Sequence, residues 1–452
     1  MKIVLIGCGT IGKTILEQLA TEQHTITLID TEKDKIAALI EKYDVNGVIG
    51  NGASLDIQLE AGVKQADLVI ATASSDEINI LASIVAKKIG CKNTIARIRN
   101  PEYYNQSSIL KDELGLSMVV NPELDTAHEI LNMISLPSIA KIEHFAKGKV
   151  TMLEILIDKH NPLVGETLIS ISKKFKTKVL ICAVQRKDKV FIPTGDFVIK
   201  SGDRINITAD TNSLNSFLTE LNMIKTPLKN IMIVGGGKMS YYLAKELSAK
   251  KYNVKIIETN KERAEELSAL LPKVTIINGD GTDYDVLEEE GIQAMDAFVS
   301  LTNVDEENII VSMYASKVNV KKCIARVKRK GLVGIVGALE MINPVSPKHI
   351  IADKVISYIR ALSNSRGNKV ITLYRLVHKQ IEALEFIAKN NEAVYDIPLR
   401  DLTVKPGCLI ACILRNNKVI IPNGNTCIQN DDNVIVVTTH KDFNDLSEIF
   451  DR

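Results

Sequence analysis

The sequence predicts an α/β chain with two doubly wound parallel-sheet domains, each followed by a small α+β lobe. Three observations predict it. The chain repeats itself along its length. In the longer unit of each repeat, short apolar runs alternate with amphipathic helical stretches. A glycine-rich turn follows the first apolar run of both repeats.

The repeat is explicit. KIVLIGCGTIG at 2–12 matches NIMIVGGGKMS at 230–240. Asp30 matches Glu258, and the run at 49–52 (Ile-Gly-Asn-Gly) matches 278–281 (Asn-Gly-Asp-Gly). Gly62, Asp67, Asp76, Glu77, Asn79, Arg97 and Pro122 match Gly291, Asp296, Asp305, Glu306, Asn308, Arg326 and Pro347. Later, 191–195 aligns with 420–424, and Ser201-Gly202-Asp203 with Asn430-Asp431-Asp432.

In the long unit, apolar runs at 3–6, 25–29, 46–49 and 68–71 read as buried strands, with helical stretches such as 13–19 between them. The short unit reads as strands near 152–157, 179–184, 190–192 and 204–208, with one helix near 168–175. Segments 125–145 and 352–362 read as connecting helices, and 146–149, 225–229 and 364–368 as linkers. The predicted divisions are 1–124, 140–222, 228–350 and 368–452.

Composition narrows the function. The chain has 452 residues, 45% hydrophobic and 25% charged, which suits several cores. Its 56 Lys+Arg against 55 Asp+Glu leave a net charge of +1, so no global field points to nucleic acid. No Trp and 4% aromatics leave few platforms for base stacking. Seven scattered cysteines lack CxxC spacing and read as reduced, packed thiols; Cys408 and Cys412 have no nearby His or Cys partner for a metal. Asp196 and Asp203 could bind a cation but read better as solvated loop acids. The first residues run straight into a strand and glycine turn, which predicts no signal peptide. No apolar run approaches the ~18 residues that span a bilayer. A cytoplasmic location follows, with any membrane association made through a partner.

Gly7-Cys8-Gly9-Thr10-Ile11-Gly12 has the spacing of a dinucleotide fingerprint, and Asp30 stands 18 residues beyond Gly12. Gly7 permits the tight turn, Gly9 lets a pyrophosphate approach the backbone, and Gly12 lets the helix lie close to the strand. Helix amides then face the phosphates. Asp30 suits ribose hydroxyls and repels a 2′-phosphate, so the ligand is NAD(H) rather than NADP(H). The domain is Rossmann-like. In the second loop, Ser240 replaces the third glycine, and Glu258 again follows by 18 residues. Ligand binding and helix packing are both open as uses of that loop.

Asn51-Gly52 and Asp280-Gly281 follow the third strand, at the adenine end of such sites. Ala73-Ser74 and Thr302-Asn303 follow the fourth, near the phosphates. Turn chemistry alone would also explain these residue types. Arg97 and Arg326 close a strand at the ligand edge, with Arg99 and Lys328 two residues on. A guanidinium there suits phosphate oxygens or a solvated interface.

The strings at 2–12, 76–79 (Asp-Glu-Ile-Asn), 96–103 (Ala-Arg-Ile-Arg-Asn-Pro-Glu-Tyr) and Pro193-Thr194-Gly195 resemble the TrkA family of peripheral regulatory subunits of bacterial Trk potassium uptake systems. That family is built from tandem regulator-of-potassium-conductance (RCK) domains. The resemblance implies that the small lobes are RCK C-lobes. It also implies binding of NAD/NADH and of ATP or ADP, a homo-oligomeric ring (a tetramer of tandem chains), and docking on the inner face of an integral-membrane potassium transporter subunit. Its first site would comprise Gly7, Cys8, Gly9, Thr10, Ile11, Gly12, Asp30, Asn51, Ala73, Ser74 and Arg97. Its second would comprise Gly235, Gly237, Lys238, Met239, Glu258, Asp280, Thr302, Asn303 and Arg326. The second half lacks the Asn-Pro-Glu-Tyr string and has 326–331 (Arg-Val-Lys-Arg-Lys-Gly) there instead.

The rival reading is an NAD-dependent oxidoreductase. Such an enzyme needs a general acid or base beside the nicotinamide. None of the seven histidines falls on a histidine of the other repeat. Two cofactor loops without a substrate domain suit sensing better than turnover.

Overall fold

The computed structural model describes residues 1–452 apart from 21, 23, 136–138, 146–149, 188, 224–227, 339–340, 365–369, 377–380, 389–393, 417, 441–442, 444 and 452. At 139–145, 211, 330, 338, 361, 363–364, 370 and 371–376 it describes the backbone alone.

Strands β1 (Lys2–Ile6), β2 (Thr25–Asp30), β3 (Asn46–Ile49), β4 (Leu68–Ala71), β5 (Asn93–Arg97) and β6 (Met118–Val120) form a parallel sheet in the order β3-β2-β1-β4-β5-β6. Strands β7 (Ile139–Phe145), β8 (Val150–Leu156), β9 (Leu180–Arg186), β10 (Lys189–Phe191) and β11 (Arg204–Ala209) form an antiparallel sheet in the order β10-β9-β11-β8-β7. The second half repeats both. β12 (Asn230–Val234), β13 (Asn253–Glu258), β14 (Thr275–Asn278), β15 (Ala297–Ser300), β16 (Lys322–Arg326) and β17 (Asn343–Val345) take the order β14-β13-β12-β15-β16-β17. β18 (Val370–Leu376), β19 (Ile381–Ile387), β20 (Cys408–Arg415), β21 (Lys418–Ile420) and β22 (Asn433–Thr438) take the order β18-β19-β22-β20-β21. The predicted α/β class, two doubly wound sheets each with a small antiparallel lobe, is the architecture observed.

The chain divides into two compact units, Met1–Ile134 with Leu228–Ile356, and Ser135–Pro227 with Ser357–Arg452. The first holds both parallel sheets. In each, the strand before the glycine turn pairs on both sides, β1 with β2 and β4, β12 with β13 and β15. The chain order reverses there, so a crevice opens at the carboxyl ends of the strands. At the amino ends, Asp67 accepts the Lys2 N–H at 2.8 Å, and Asp296 accepts the Lys229 and Asn230 N–H at 2.8 and 3.0 Å. Gly62 and Gly291 take φ +74° and +77°. These repeated residues are therefore structural, at the edge opposite the glycine loops.

The halves exchange helices. Helix Pro122–Ser135 carries Ala127, Ile130, Leu131 and Ile134 at helical spacing, and buries them against Met239, Tyr242, Leu243 and Leu247 of helix Lys238–Ala249. Helix Pro347–Asn364 reaches the first half in return. Its Asp353 accepts a bond from Gln18 at 3.0 Å, and its Lys354 meets Asp125 at 2.5 Å.

In the second unit the two small sheets share a core of Val150, Met152, Cys182 and Ala183 with Ile381, Ala411, Cys412 and Val437. The other face of β8 and β11 packs under helix Thr211–Glu220 through Leu214, Phe217 and Leu218. Covered on both faces, β8 is buried along its first six residues, Thr151 and Glu154 included.

Three expectations are corrected here. The segment 125–145 is not one connecting helix: the helix stops at Ser135, and 139–145 is β7, paired with β8. Pro137 halts the helical pattern in the sequence. The first small lobe has a second helix, Thr211–Glu220, capped by Asp210. Asp203 is no solvated acid. It is fully buried and takes both prongs of Arg186 at 2.8 Å, plus the Lys200 N–H at 2.8 Å. Asp432 and Arg415 repeat this at 2.9 and 2.8 Å. Segment 352–362 does lie within a helix. The linkers 146–149, most of 225–229 and 365–368 fall outside the described residues. Among the described residues no helix is long and apolar enough to cross a membrane, and no cluster of His, Cys, Asp and Glu is arranged for a metal.

Candidate functional site

β1 ends at Ile6, and the chain turns at Gly7 with φ +88°. The Gly7 N–H donates to Ile29 O at 2.8 Å, tying the turn to β2. A Cβ on Gly7 would lie 2.5 Å from the Ala73 nitrogen, and one on Gly12 2.1 Å from Gly7 O. Backbone crowding therefore demands both glycines. Gly9 is different. It caps helix Thr10–Leu19 at φ −69°, and a Cβ there would meet no protein atom within 4 Å. No side chain caps that helix, so its first amides face the space over Gly9. With the helix dipole behind them, they form a cradle for an anion.

Asp30 closes the β2 side. One carboxylate oxygen accepts the Cys8 N–H at 2.6 Å and the other the Glu32 N–H at 3.0 Å. Each oxygen keeps a lone pair for a ribose hydroxyl. Cys8 and Ile11 are buried, so they offer the site only their backbone; Thr10 is exposed at the rim. Asn51 lies beyond β3, where its side chain accepts the Ala53 N–H at 3.0 Å.

The facing wall is held by residues that the sequence reading matched but gave no role. Buried Asn79 accepts the Ala73 N–H at 2.7 Å and donates to Ala73 O and Arg97 O at 3.1 and 2.9 Å. Asp76 accepts the Arg99 and Asn100 N–H at 2.8 and 2.7 Å. Asn308 and Asp305 make the same bonds in the second half. Their repetition was the available signal. Arg97 and Arg99 donate to Ala73 O and Ser74 O, each at 2.6 Å. Burial, with the neighbouring Arg99 charge, pushes the Arg97 pKa down. Its Nε is buried without a partner. Arg326 donates to Thr302 O and Asn303 Oδ1 at 3.3 Å, and Lys328 to Asn303 O at 2.6 Å.

The second loop keeps this plan through exchanged side chains. Gly235 takes φ +94°. In the first loop Thr72 donates to Gly7 O at 2.9 Å. In the second, Leu301 occupies the equivalent position and the Ser240 hydroxyl bonds Gly235 O instead. Room for Ser240 comes with a looser loop: a Cβ on Gly235 would stand 3.2 Å from the Leu301 backbone, against 2.5 Å at Gly7. Likewise Cys8 pairs with the short Asp30, whereas Gly236 pairs with the longer Glu258, which accepts its N–H. A Cβ on Gly236 would meet the Glu258 carboxylate at 2.7 Å. Gly237, like Gly9, faces open space, and Lys238 is exposed beside it. Met239 is buried between the lobes. Asp280 accepts both the N–H and the hydroxyl of Thr282, at 2.9 and 2.7 Å, which hold its pKa down.

Glu123, at the start of helix Pro122–Ser135, is a further missed residue. Its charge raises the pKa of both Arg97 and Arg326, against the lowering by burial, and one of its oxygens is buried without a partner. Its charge therefore acts on arginines of both halves. Its counterpart beside Pro347 is Lys348, so the repeat carried no signal for it.

Burial pushes the thiols of Cys8, Cys182, Cys323 and Cys412 up to about 12, with Asp30 adding to the effect at Cys8. At pH 8 only about one in ten thousand of each is thiolate. Alkylation of the folded protein at pH 8, read by peptide mass mapping, is expected to spare all four. Modification of Cys8 at the rate of a free thiol would contradict its burial.

Comparisons with known proteins agree with this architecture. The TrkA-N domain model matches residues 3–122 and 231–347, and the TrkA-C domain model matches 152–222 and 383–451. The chain is 31% identical over 458 residues to the Trk system potassium uptake protein TrkA of Vibrio alginolyticus, covering 100% of this chain and 98% of that protein. It is 30% identical to the TrkA of Haemophilus influenzae, covering 98% and 96%. Among solved structures it is similar to the GsuK channel bound to NAD, with a TM-score of 0.65, 17% identity and coverage of 97% of this chain and 76% of that one. The GsuK RCK domain gives a TM-score of 0.63 at 17% identity, covering 96% and 92%. With both halves matched by both domain models, and full-length relatives at about this identity, the chain belongs to the TrkA family.

Proposed function

We propose that the chain is a nucleotide-sensing regulatory subunit, not an enzyme, that binds NAD(H) and ATP or ADP and gates a membrane potassium uptake protein of the Trk type. One observation carries this reading. The crossover helix of the first half is packed on the phosphate-loop helix of the second, so a ligand that shifts one loop acts on the other lobe. A ligand moves such a body only as far as it prefers one of its states. The names of the relatives, and the NAD- and ADP-bound states of the structural neighbour, support the ligand and partner classes.

The site residues are those named for the two loops, with Asp30 and Glu258 as ribose acceptors and Arg97 and Arg326 on the phosphate side. The lobes divide at 1–124, 140–222, 228–350 and 368–452. The chain works as a ring-forming homo-oligomer, a tetramer, on the cytoplasmic face of the membrane. The rival oxidoreductase lacks support at the loops. His24 lies at the amino end of β2, the edge away from Asp30, and bonds Glu22 at 3.2 Å.

Calorimetric titration with NADH, NAD, ADP and ATP, alongside a turnover assay, tests the reading. Saturable binding without turnover is expected, together with nucleotide-dependent potassium flux when a Trk-type membrane subunit is reconstituted with the chain. Asp30→Ala removes the ribose acceptor and is expected to weaken NADH at least tenfold, since hydrogen bonds to a charged group contribute about 1.5–3 kcal/mol. Unchanged NADH affinity in that variant would remove Asp30 from the site. Hydride transfer to any substrate would favour the oxidoreductase.

A further inference from the structure

We infer that Glu123 makes the two glycine-loop sites antagonistic: it is the shared counter-charge of Arg97 and Arg326, so a nucleotide at one loop weakens the next nucleotide at the other. The inference rests on the nucleotide-sensing reading above.

The strands and the exchanged helix place the groups. Arg97 pairs with Val120 across β5 and β6, and the Ile98 N–H donates to Val120 O at 2.9 Å. Glu123 follows three residues after Val120, in the first turn of helix Pro122–Ser135. Asn121 caps that helix by accepting the Leu124 N–H at 3.0 Å, and donates to the Tyr242 hydroxyl at 3.3 Å. Tyr242 belongs to the phosphate-loop helix of the second half. The body of helix Pro122–Ser135 shares one core with Ile324 of β16. Arg326, two residues beyond Ile324, leaves that strand on the same face. The start of one helix thus adjoins the phosphate-side arginine of its own half and the loop helix of the other.

Three charged groups are left incomplete there. One carboxylate oxygen of Glu123, the Nε of Arg97 and the Nε of Arg326 are buried without a partner. Buried polar atoms are paired as a rule, so open ones at a ligand edge point to bonds that are exchanged on binding. Asp76 and Asp305 each serve a single half. Asp76 accepts the Arg99 and Asn100 N–H, and Asp305 the Lys328 and Arg329 N–H. Against the lowering by burial, the charge of Glu123 raises the pKa of both arginines. The repeat supplies no second such acid, because the counterpart is Lys348.

With both loops empty, one carboxylate serves two guanidinium groups. A guanidinium that turns to phosphate in a bidentate fork turns away from that carboxylate. Glu123 is then left to the other arginine. A nucleotide at the second loop must draw that arginine from an undivided negative charge, and it binds more weakly. Linkage makes the effect equal in either order.

The test titrates the full chain with ADP, the part common to NAD(H) and the adenine nucleotides, which suits either loop. A Cβ at Gly9 or Gly237 meets no protein atom within 4 Å, so Gly9→Val and Gly237→Val each fill one loop and leave the other site. Without coupling, the two dissociation constants of the unaltered chain multiply to the same product as those of the two one-site chains. The product is expected to be about five- to tenfold larger in the unaltered chain. Glu123→Gln keeps the shape and removes the charge. In that background the two products are expected to agree within about twofold. Each one-site chain is also expected to bind ADP about two- to fivefold tighter, because a charge that repels phosphate is gone. Glu123→Asp keeps the charge and is expected to keep the excess. The inference is overturned if the products agree in the unaltered chain, if only one loop binds ADP, or if the excess survives Glu123→Gln. Each of these leaves the nucleotide-sensing reading standing. An unaltered chain that binds no nucleotide overturns both.

Discussion

Gly7→Ala is expected to destabilise the first lobe by about 3–5 kcal/mol, while Gly9→Val, two residues away, costs about 1 kcal/mol and abolishes binding at that loop. The contrast follows from what surrounds each position. Gly7 sits at φ +88°, in the left-handed region, which costs an L side chain about 1–2 kcal/mol. Its Cβ would also lie 2.5 Å from the nitrogen and 2.7 Å from the Cα of Ala73, backbone that Asn79 pins in place and that cannot retreat. At Gly9 the backbone is in a region open to any residue, and nothing of the protein lies within 4 Å of the added Cβ, so the cost is that of a poorer N-cap residue. Thermal melts and NADH titration of both variants make the comparison. A Gly9→Val protein that binds NADH normally would show that the space over Gly9 does not receive phosphate.

Asp203→Ala is expected to cost the small-lobe unit about 1–3 kcal/mol, whereas Asp196→Ala, seven residues earlier, stays within about 0.5 kcal/mol. Asp203 is fully buried and holds Arg186 with both oxygens. Removing it takes two charged bonds from a half-buried guanidinium, which keeps a bond to Val198 O beside the Phe197 ring, and leaves the Lys200 N–H without its acceptor. Asp196 is exposed and, among the described side chains, accepts from Thr194. Denaturant unfolding of the two variants is the measurement. Asp432→Ala is expected to match Asp203→Ala, because Arg415 repeats the geometry. Equal, small effects at 196 and 203 would mean that the buried pair carries no net stability.

The two halves read each other in the sequence, and this made much of the fold legible. A lone Asp67 or Gly62 says little. Matched with Asp296 and Gly291, each becomes a position that the fold requires, here a strand-end cap and a left-handed turn. The same matching flagged Asn79 and Asp76 without showing what they hold, because their partners lie on a neighbouring strand's loop. Local pattern failed at 125–145. There Ile139, Ile142 and Phe145 are spaced like a helix stripe, and pairing with β8 overrides that preference.

The sequence by itself determined the duplicated plan, the parallel sheets, the glycine loops and the acids at the ends of β2 and β13. These rest on local chemistry: a Cβ that cannot fit, an apolar run that must be buried, a carboxylate at fixed spacing. Only the tertiary structure decided which substitutions compensate. Ser240 looks like a damaged fingerprint until Leu301 is seen where Thr72 stands in the other half. It also decided that Asp203 is buried, that the halves exchange helices, and that the charge of Glu123 acts on arginines of both halves. Each of these depends on residues far apart in the chain meeting in space, and one sequence does not record which of its distant residues touch.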